Sequence, residues 1–211
     1  MGTAGLLCTV VGSGIMGERL AGGNVALALL ANTLATGAGL VALIMAFGSV
    51  SASFNPAVTV AEAWQGRLPW REVPAYVACQ SAGAVVGVVV AHAMFSLPLL
   101  SISRHARGGG AQVLSELVAT FGLLTVIWGA ARRKPDAVPY AVGAYITAAY
   151  WFTASTSFAN PAVTLARALT DTFAGIRPVD VPGFIVGQAG GVVGAILLAR
   201  CLGTNEAREQ A

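Results

Sequence analysis

The sequence predicts an all-α membrane protein: six transmembrane helices plus two re-entrant half-helices, related as an inverted repeat. Three observations lead there. Of 211 residues, 56% are hydrophobic and 10% charged, with a mean hydropathy of +0.74 and 26 glycines. Soluble domains carry about 25% charged residues, so this composition describes helices packed through small residues in a bilayer. One pentapeptide is written twice, Asn55-Pro56-Ala57-Val58-Thr59 and Asn160-Pro161-Ala162-Val163-Thr164. A longer echo sets Pro74, Gln80 and Gly83 against Pro182, Gln188 and Gly191, in the same order and spacing.

The first apolar run, about residues 1–17, ends at Gly17-Glu18-Arg19 and sits at the short limit for spanning, roughly 17–25 residues. It has no basic leader and no clear small-residue cleavage site, so it reads as a membrane segment and not a removable signal. Either this helix is short or the chain starts inside it. The second run, Asn24 to Phe47, is long enough to cross and holds Gly37 and Gly39 for close packing. After a serine-rich approach (49–54) the first pentapeptide opens a short apolar stretch to Trp64, which is too short to span. Asn caps a helix, and Pro fits its first turn, where the missing N–H costs nothing. The third span is Pro74 to Phe95. Ser101 to Gly110 has a linker's composition and divides the halves. Gln112 to Ala130 is the fourth span, followed by the basic cluster Arg132-Arg133-Lys134, and the fifth runs from about Val138 to Ala154. A second serine-rich approach (155–159) leads to the second short helix, to Leu169. Val181 to Leu202 is the sixth span, before a short polar tail.

Each half is therefore three spans with a half-helix between its second and third: 1–100 and 111–203, one channel domain. Three is odd, so the second half enters the bilayer upside down. The two half-helices then approach from opposite sides with their N-termini meeting at the centre. Irregular backbone at that depth is tolerated only where it lines a cavity. The blander reading, two ordinary helix starts after two loops, does not account for a matched pair. Loop Lys and Arg set the orientation. With both termini cytoplasmic the inner side holds seven basic residues, Arg67, Arg71, Arg132, Arg133, Lys134, Arg200 and Arg208. The outer side holds five, Arg19, Arg104, Arg107, Arg167 and Arg177. A multi-pass protein of the cell inner (plasma) membrane is expected, with the lipid bilayer as its main partner.

Several classes drop out. Basic residues are not interleaved with aromatics, so nucleic acid is not an expected partner. Cys8, Cys79 and Cys201 have no metal-type spacing and read as reduced, buried thiols. His92, in an apolar helix, and His105, in a loop, lack a nucleophile or carboxylate at motif spacing, so no enzyme, catalytic residue, metal or cofactor is expected. A secondary transporter also uses broken helices and inverted repeats, but it needs charges in the membrane to couple ions, and only Glu116 qualifies clearly.

Six spans, two half-helices and paired Asn-Pro-Ala motifs resemble the aquaporin (major intrinsic protein) superfamily over nearly the whole chain. The resemblance implies a homotetramer with one pore per subunit, passing water or small uncharged solutes. Asn55 and Asn160 would donate their amides to solutes in single file, with Pro56, Ala57, Pro161 and Ala162 completing the motifs. The two helix dipoles would repel protons and cations there. Glu116 resembles the family's buried helix glutamate that supports the re-entrant backbone, and Gln80 and Gln188 match its repeat glutamines. The counterpart of Glu116 is missing before Gly2-Thr3.

The departures concern the filter. Where the family's second motif continues with Arg, this chain has Val163, and where glycerol-conducting members follow with Asp, it has Thr164. The other filter positions, carried over by distance from the asparagines, are Ala35, Ala148 and Ser157. None matches the aromatic and histidine of water-selective members or the aromatics of the glycerol type. Three small side chains and a valine predict a wide, uncharged outer opening, similar to bacterial aquaglyceroporin-like channels of arsenic resistance. The expected function is a passive channel for arsenite-like metalloid hydroxides and glycerol-like polyols, with some water; the alternative is a water-selective pore. Arg167, one turn beyond Val163, is the other candidate to guard the mouth, but pairing with Asp171 is the favoured reading. Its first-half equivalent, Glu62, reads as a solvated inner-mouth charge.

Overall fold

The computed structural model describes residues 1–48, 51 and 53–209, with side chains described through 202. The first serine-rich approach therefore lies partly outside the described residues, as does the side chain of Arg208. Eight α-helices form among the described residues. They are α1 (Gly2–Leu20), α2 (Val25–Phe47), α3 (Pro56–Trp64), α4 (Val73–Met94), α5 (Gly110–Arg133), α6 (Val138–Phe152), α7 (Pro161–Arg167) and α8 (Val181–Glu209). The last runs on beyond Leu202, where a polar tail was expected.

Local chemistry accounts for the starts. The Asn24 side chain accepts from the Leu27 N–H at 3.1 Å and caps α2. Short 3₁₀ turns at Trp70–Glu72, Pro135–Ala137 and Pro178–Asp180 lead into α4, α6 and α8, each with a proline at its second residue. Among the described residues four stretches are long and apolar enough to cross a membrane: Val25–Phe47, Trp70–Met94, Gly110–Arg133 and Pro178–Leu202. The helices at the other two expected spans are shorter. α1 has 19 residues and carries Glu18 and Arg19 in its last turn; α6 has 15, which is about 22 Å of helix.

α1 packs on α2 and α4, and α5 packs on α6 and α8, so corresponding helices of the two halves make corresponding contacts. α2 crosses α6 and joins the two groups. The crossing is close because neither backbone carries a side chain there: a Cβ at Gly143 would lie 2.8 Å from the Gly37 carbonyl oxygen. Leu27, Leu30, Leu34 and Met45 on α2, like Val86 and Val90 on α4, are exposed. Apolar side chains all round a helix suit lipid. Cys79 and Cys201 also lie exposed and only Cys8 is partly covered, which corrects the expectation of buried thiols. The two half-helices stand inside this frame, touching each other and each packing directly on both α4 and α8.

Candidate functional site

The half-helices are locked tip to tip by their asparagines. Asn55 Oδ1 accepts from the Ala57 N–H at 2.9 Å, and Asn160 Oδ1 accepts from Ala162 and Val163 at 3.0 and 3.2 Å. Each caps its own helix. The amide nitrogens then reach across: Asn55 Nδ2 donates to the Ala159 carbonyl at 2.7 Å, and Asn160 Nδ2 donates to the Phe54 carbonyl at 3.0 Å. An amide nitrogen has two hydrogens, so each keeps one N–H for the cavity that both asparagines line. Pro56, Ala57, Pro161 and Ala162 are not in that lining; they form the first turns behind it.

A matched brace holds each tip. Gln80 Nε2 donates to Thr59 Oγ1 and Gln188 Nε2 to Thr164 Oγ1, both at 2.8 Å. Each threonine hydroxyl in turn donates to its asparagine's carbonyl. In the second half Glu116, fully buried, accepts from the Phe158 and Ala159 N–H at 2.9 and 2.8 Å and from Gln188 at 2.6 Å. These bonds hold a stretch in which Thr156, Ser157 and Ala159 all have positive φ, of 59°, 49° and 47°, a conformation costing non-glycine residues roughly 1–2 kcal/mol each. The first half has no such carboxylate, and Gln80 instead reaches the Ser53 carbonyl.

The cavity between the tips measures about 270 Å³. Its walls are mainly apolar: Leu40, Ile44, Leu123, Ile127, Val142 and Ile146, with Val58 and Val163 on the half-helices. Thr36, Tyr150 and Ser157 supply polar groups beside the asparagines; Tyr150 donates its hydroxyl to Thr36 Oγ1 at 3.3 Å. Ser157 Oγ is buried without a protein partner.

Of the four expected filter positions Ser157 and Val163 line the cavity, and Ala35 and Ala148 do not. Thr36 and Tyr150 do. Counting outward from an asparagine assumes fixed connection lengths, whereas the helix period decides which residue faces inward. On α2 residues 36, 40 and 44 share the lumen face, and on α6 residues 138, 142, 146 and 150 do. A position one or two residues away is rotated by about 100–200°.

The charges also differ from expectation. Arg167 does not pair with Asp171. It is 2% exposed, lies with its guanidinium carbon 3.4 Å from the Phe158 ring centre, donates Nε–H to the Ala174 carbonyl, and lines the cavity. Asp171 instead accepts from the Arg104 N–H and Nε–H at 2.9 and 2.8 Å. Those bonds, the backbone one first, hold the Asp171 carboxyl below the ordinary aspartate range. Glu62 is not a free solvated charge: it lines the cavity and accepts from Trp128 Nε1–H and from Arg67, each at 3.3 Å. The cavity is therefore not uncharged at the α7 end.

The segment with a linker's composition is tied down over that end. Ser101 and Ser103 donate their N–H to Leu169 and Ala168. Arg107 donates Nε–H to the Gly175 carbonyl at 2.8 Å, reaches the Ser155 and Phe173 carbonyls at 3.3 Å, and lies 5.2 Å from the Phe158 ring centre. Burial lowers its pKa to about 10, which still leaves it charged at neutral pH. His105 beside it is shifted down by burial first and by Arg107 and Arg167 next. His92 is structural: its Nδ1–H meets the Pro98 carbonyl at 2.7 Å and its Nε2 lies 2.6 Å from Thr170 Oγ1. Among the described residues no cluster of His, Cys, Asp or Glu fit to hold a metal occurs.

Comparison with known proteins agrees with this geometry. The family model described as major intrinsic protein matches residues 1–157. The chain is 55% identical over 203 residues to the aquaglyceroporin AqpS of Rhizobium meliloti (strain 1021), covering 96% of this chain and 87% of that one. It is 33% identical over 129 residues to the glycerol uptake facilitator protein of Bacillus subtilis (strain 168), covering 53% and 46%. The aquaglyceroporin structure from Plasmodium falciparum superposes with a TM-score of 0.68 at 20% identity, over 95% and 90% of the two chains.

Proposed function

The chain belongs to the major intrinsic protein family, and from that premise we propose that its pore is a broad one, passing glycerol-like polyols and arsenite-like metalloid hydroxides with water as a lesser permeant. This is a multi-pass membrane protein forming a passive channel for small neutral solutes. One observation carries the finer reading. Val163 occupies the α7 position next to the second motif, and most of the cavity wall is apolar, with Thr36, Ser53, Tyr150, Ser157 and the asparagines as its neutral polar groups and Glu62 and Arg167 as its charged ones. A polyol has a hydrocarbon side for such a wall and hydroxyls for the amides and loop groups opposite.

The protein is a homotetramer in the cell inner membrane, both termini are cytoplasmic, the α7 end faces outward, and residues 1–100 and 111–203 form the two inverted halves of one channel domain. The exposed apolar faces of α2 and α4 support an assembly embedded in lipid. No carrier mechanism is needed, because Glu116 is fully engaged as a backbone acceptor. Stopped-flow shrinkage of proteoliposomes in water, glycerol and arsenite gradients tests the reading. Rapid glycerol and arsenite entry without saturation is expected; fast water flux with both solutes excluded would overturn it.

A further inference from the structure

The charge of the α7 end and its width come from different residues. Val163 leaves the wall apolar at its own level. One helical turn further out, on the same side of α7, Arg167 lines the same cavity. A charge buried to this degree persists only if it is held. Here the Phe158 ring lies beneath it, the Ala174 carbonyl accepts its Nε–H and the Tyr150 hydroxyl lies beside it. Among the described residues no carboxylate forms an ion pair with it. Asp171 is taken by Arg104, and Glu116 by the Phe158 and Ala159 N–H and by Gln188. The charge of this cavity-lining side chain is thus not cancelled by a carboxylate partner among the described residues. Ser157, whose buried hydroxyl is unpartnered, lines the same cavity. At the other end, Glu62, like Arg167 seven residues after its asparagine, brings the opposite sign, held by Arg67 and Trp128.

We propose that Arg167 is a specificity-determining residue of this channel: its guanidinium excludes cations from the pore, while Val163, Thr36 and Ser157 set the bore. The inference rests on neutral solutes using this cavity. Inside a low-dielectric wall, like charges a few ångströms apart repel strongly enough to decide passage.

The test uses two planar probes of nearly the same shape, neutral acetamide and cationic acetamidinium, and reads the ratio of their fluxes into proteoliposomes. Wild type should pass acetamide and hold the ratio low. Arg167→Gln should raise the ratio by about tenfold or more, and Arg167→Lys, which keeps the charge without the fork, should bring it back toward wild type. A purely packing role predicts that both variants lower acetamide flux and leave the ratio where it was, and that result would overturn the proposal. If Arg167→Gln does not assemble, Ser157→Asp sets a carboxylate in the same cavity, at a left-handed backbone position that Asp tolerates. It should raise the ratio too, and an unmoved ratio again overturns the proposal. Wild type that excludes acetamide would instead sink the neutral-solute reading beneath it.

Discussion

Glu116 shows what one side chain does for the pore. Its two carboxylate oxygens satisfy the N–H groups of Phe158 and Ala159 in a stretch with three left-handed non-glycine residues. Replacing it with alanine leaves two buried donors without an acceptor, at about 1–3 kcal/mol each. Glu116→Ala should therefore melt at clearly lower temperature in detergent, and Glu116→Gln, which keeps one oxygen, should fall between. A variant with the wild-type melting point would show that the loop holds itself. The asparagines illustrate a different economy, since each uses one amide for a cap, a cross-link to the opposite loop and a donor to the lumen.

Among the elements, α2 and α6 carry Thr36 and Tyr150, so their closeness shapes the pore as well as the fold. Gly143→Leu would drive a side chain against the Gly37 carbonyl, and overpacking of this kind costs typically 1–3 kcal/mol. The variant should melt earlier and, in surviving protein, alter solute flux more than a lipid-facing change such as Val90→Leu. The strap over the α7 end makes a pH prediction. The Asp171 carboxyl is held low by the Arg104 N–H and side chain, and that of Asp180 by the Arg177 side chain and then the Arg107 N–H. A depressed carboxylate stabilises the folded form above its ordinary range, and that contribution is lost as pH falls through the folded value. Amide hydrogen exchange across 101–109, corrected for its intrinsic pH dependence, should stay slow near pH 6 and speed up as pH drops below the ordinary aspartate value of 3.8. Protection unchanged at that acidity would mean that the Arg107 contacts to carbonyls alone hold the strap.

At the scale of the whole molecule, the parts legible in the sequence were those written by short-range rules. Asn-Pro marks both half-helix starts, and α3 occupies the stretch from Pro56 to Trp64 that was read as too short to span. The glutamine echo matches the paired braces on Thr59 and Thr164. What was hidden depends on tertiary register. Ala35 and Ala148 were reached by counting across connections, and the lumen faces fall on Thr36 and Tyr150 instead. Arg167 looked like half of an i, i+4 pair because Asp171 lies at the right spacing, but the helix ends at Arg167 and the chain turns away. Arg107 sat in a stretch rich in glycine and serine, with no local sign that it would be buried. The carboxylate at the α3 end and the guanidinium at the α7 end share a cavity only because both half-helices line it, which no local pattern in the sequence states.

Val163 lines the cavity next to the paired asparagines, and the proposed breadth of the pore depends on it. The most direct test is Val163→Arg in proteoliposomes, with water, glycerol and arsenite followed by stopped flow against wild type. The account predicts that glycerol and arsenite fluxes fall by about tenfold or more, since a second guanidinium fills the bore, while water flux falls less. Equal loss for all three solutes, or no loss for any, would contradict it.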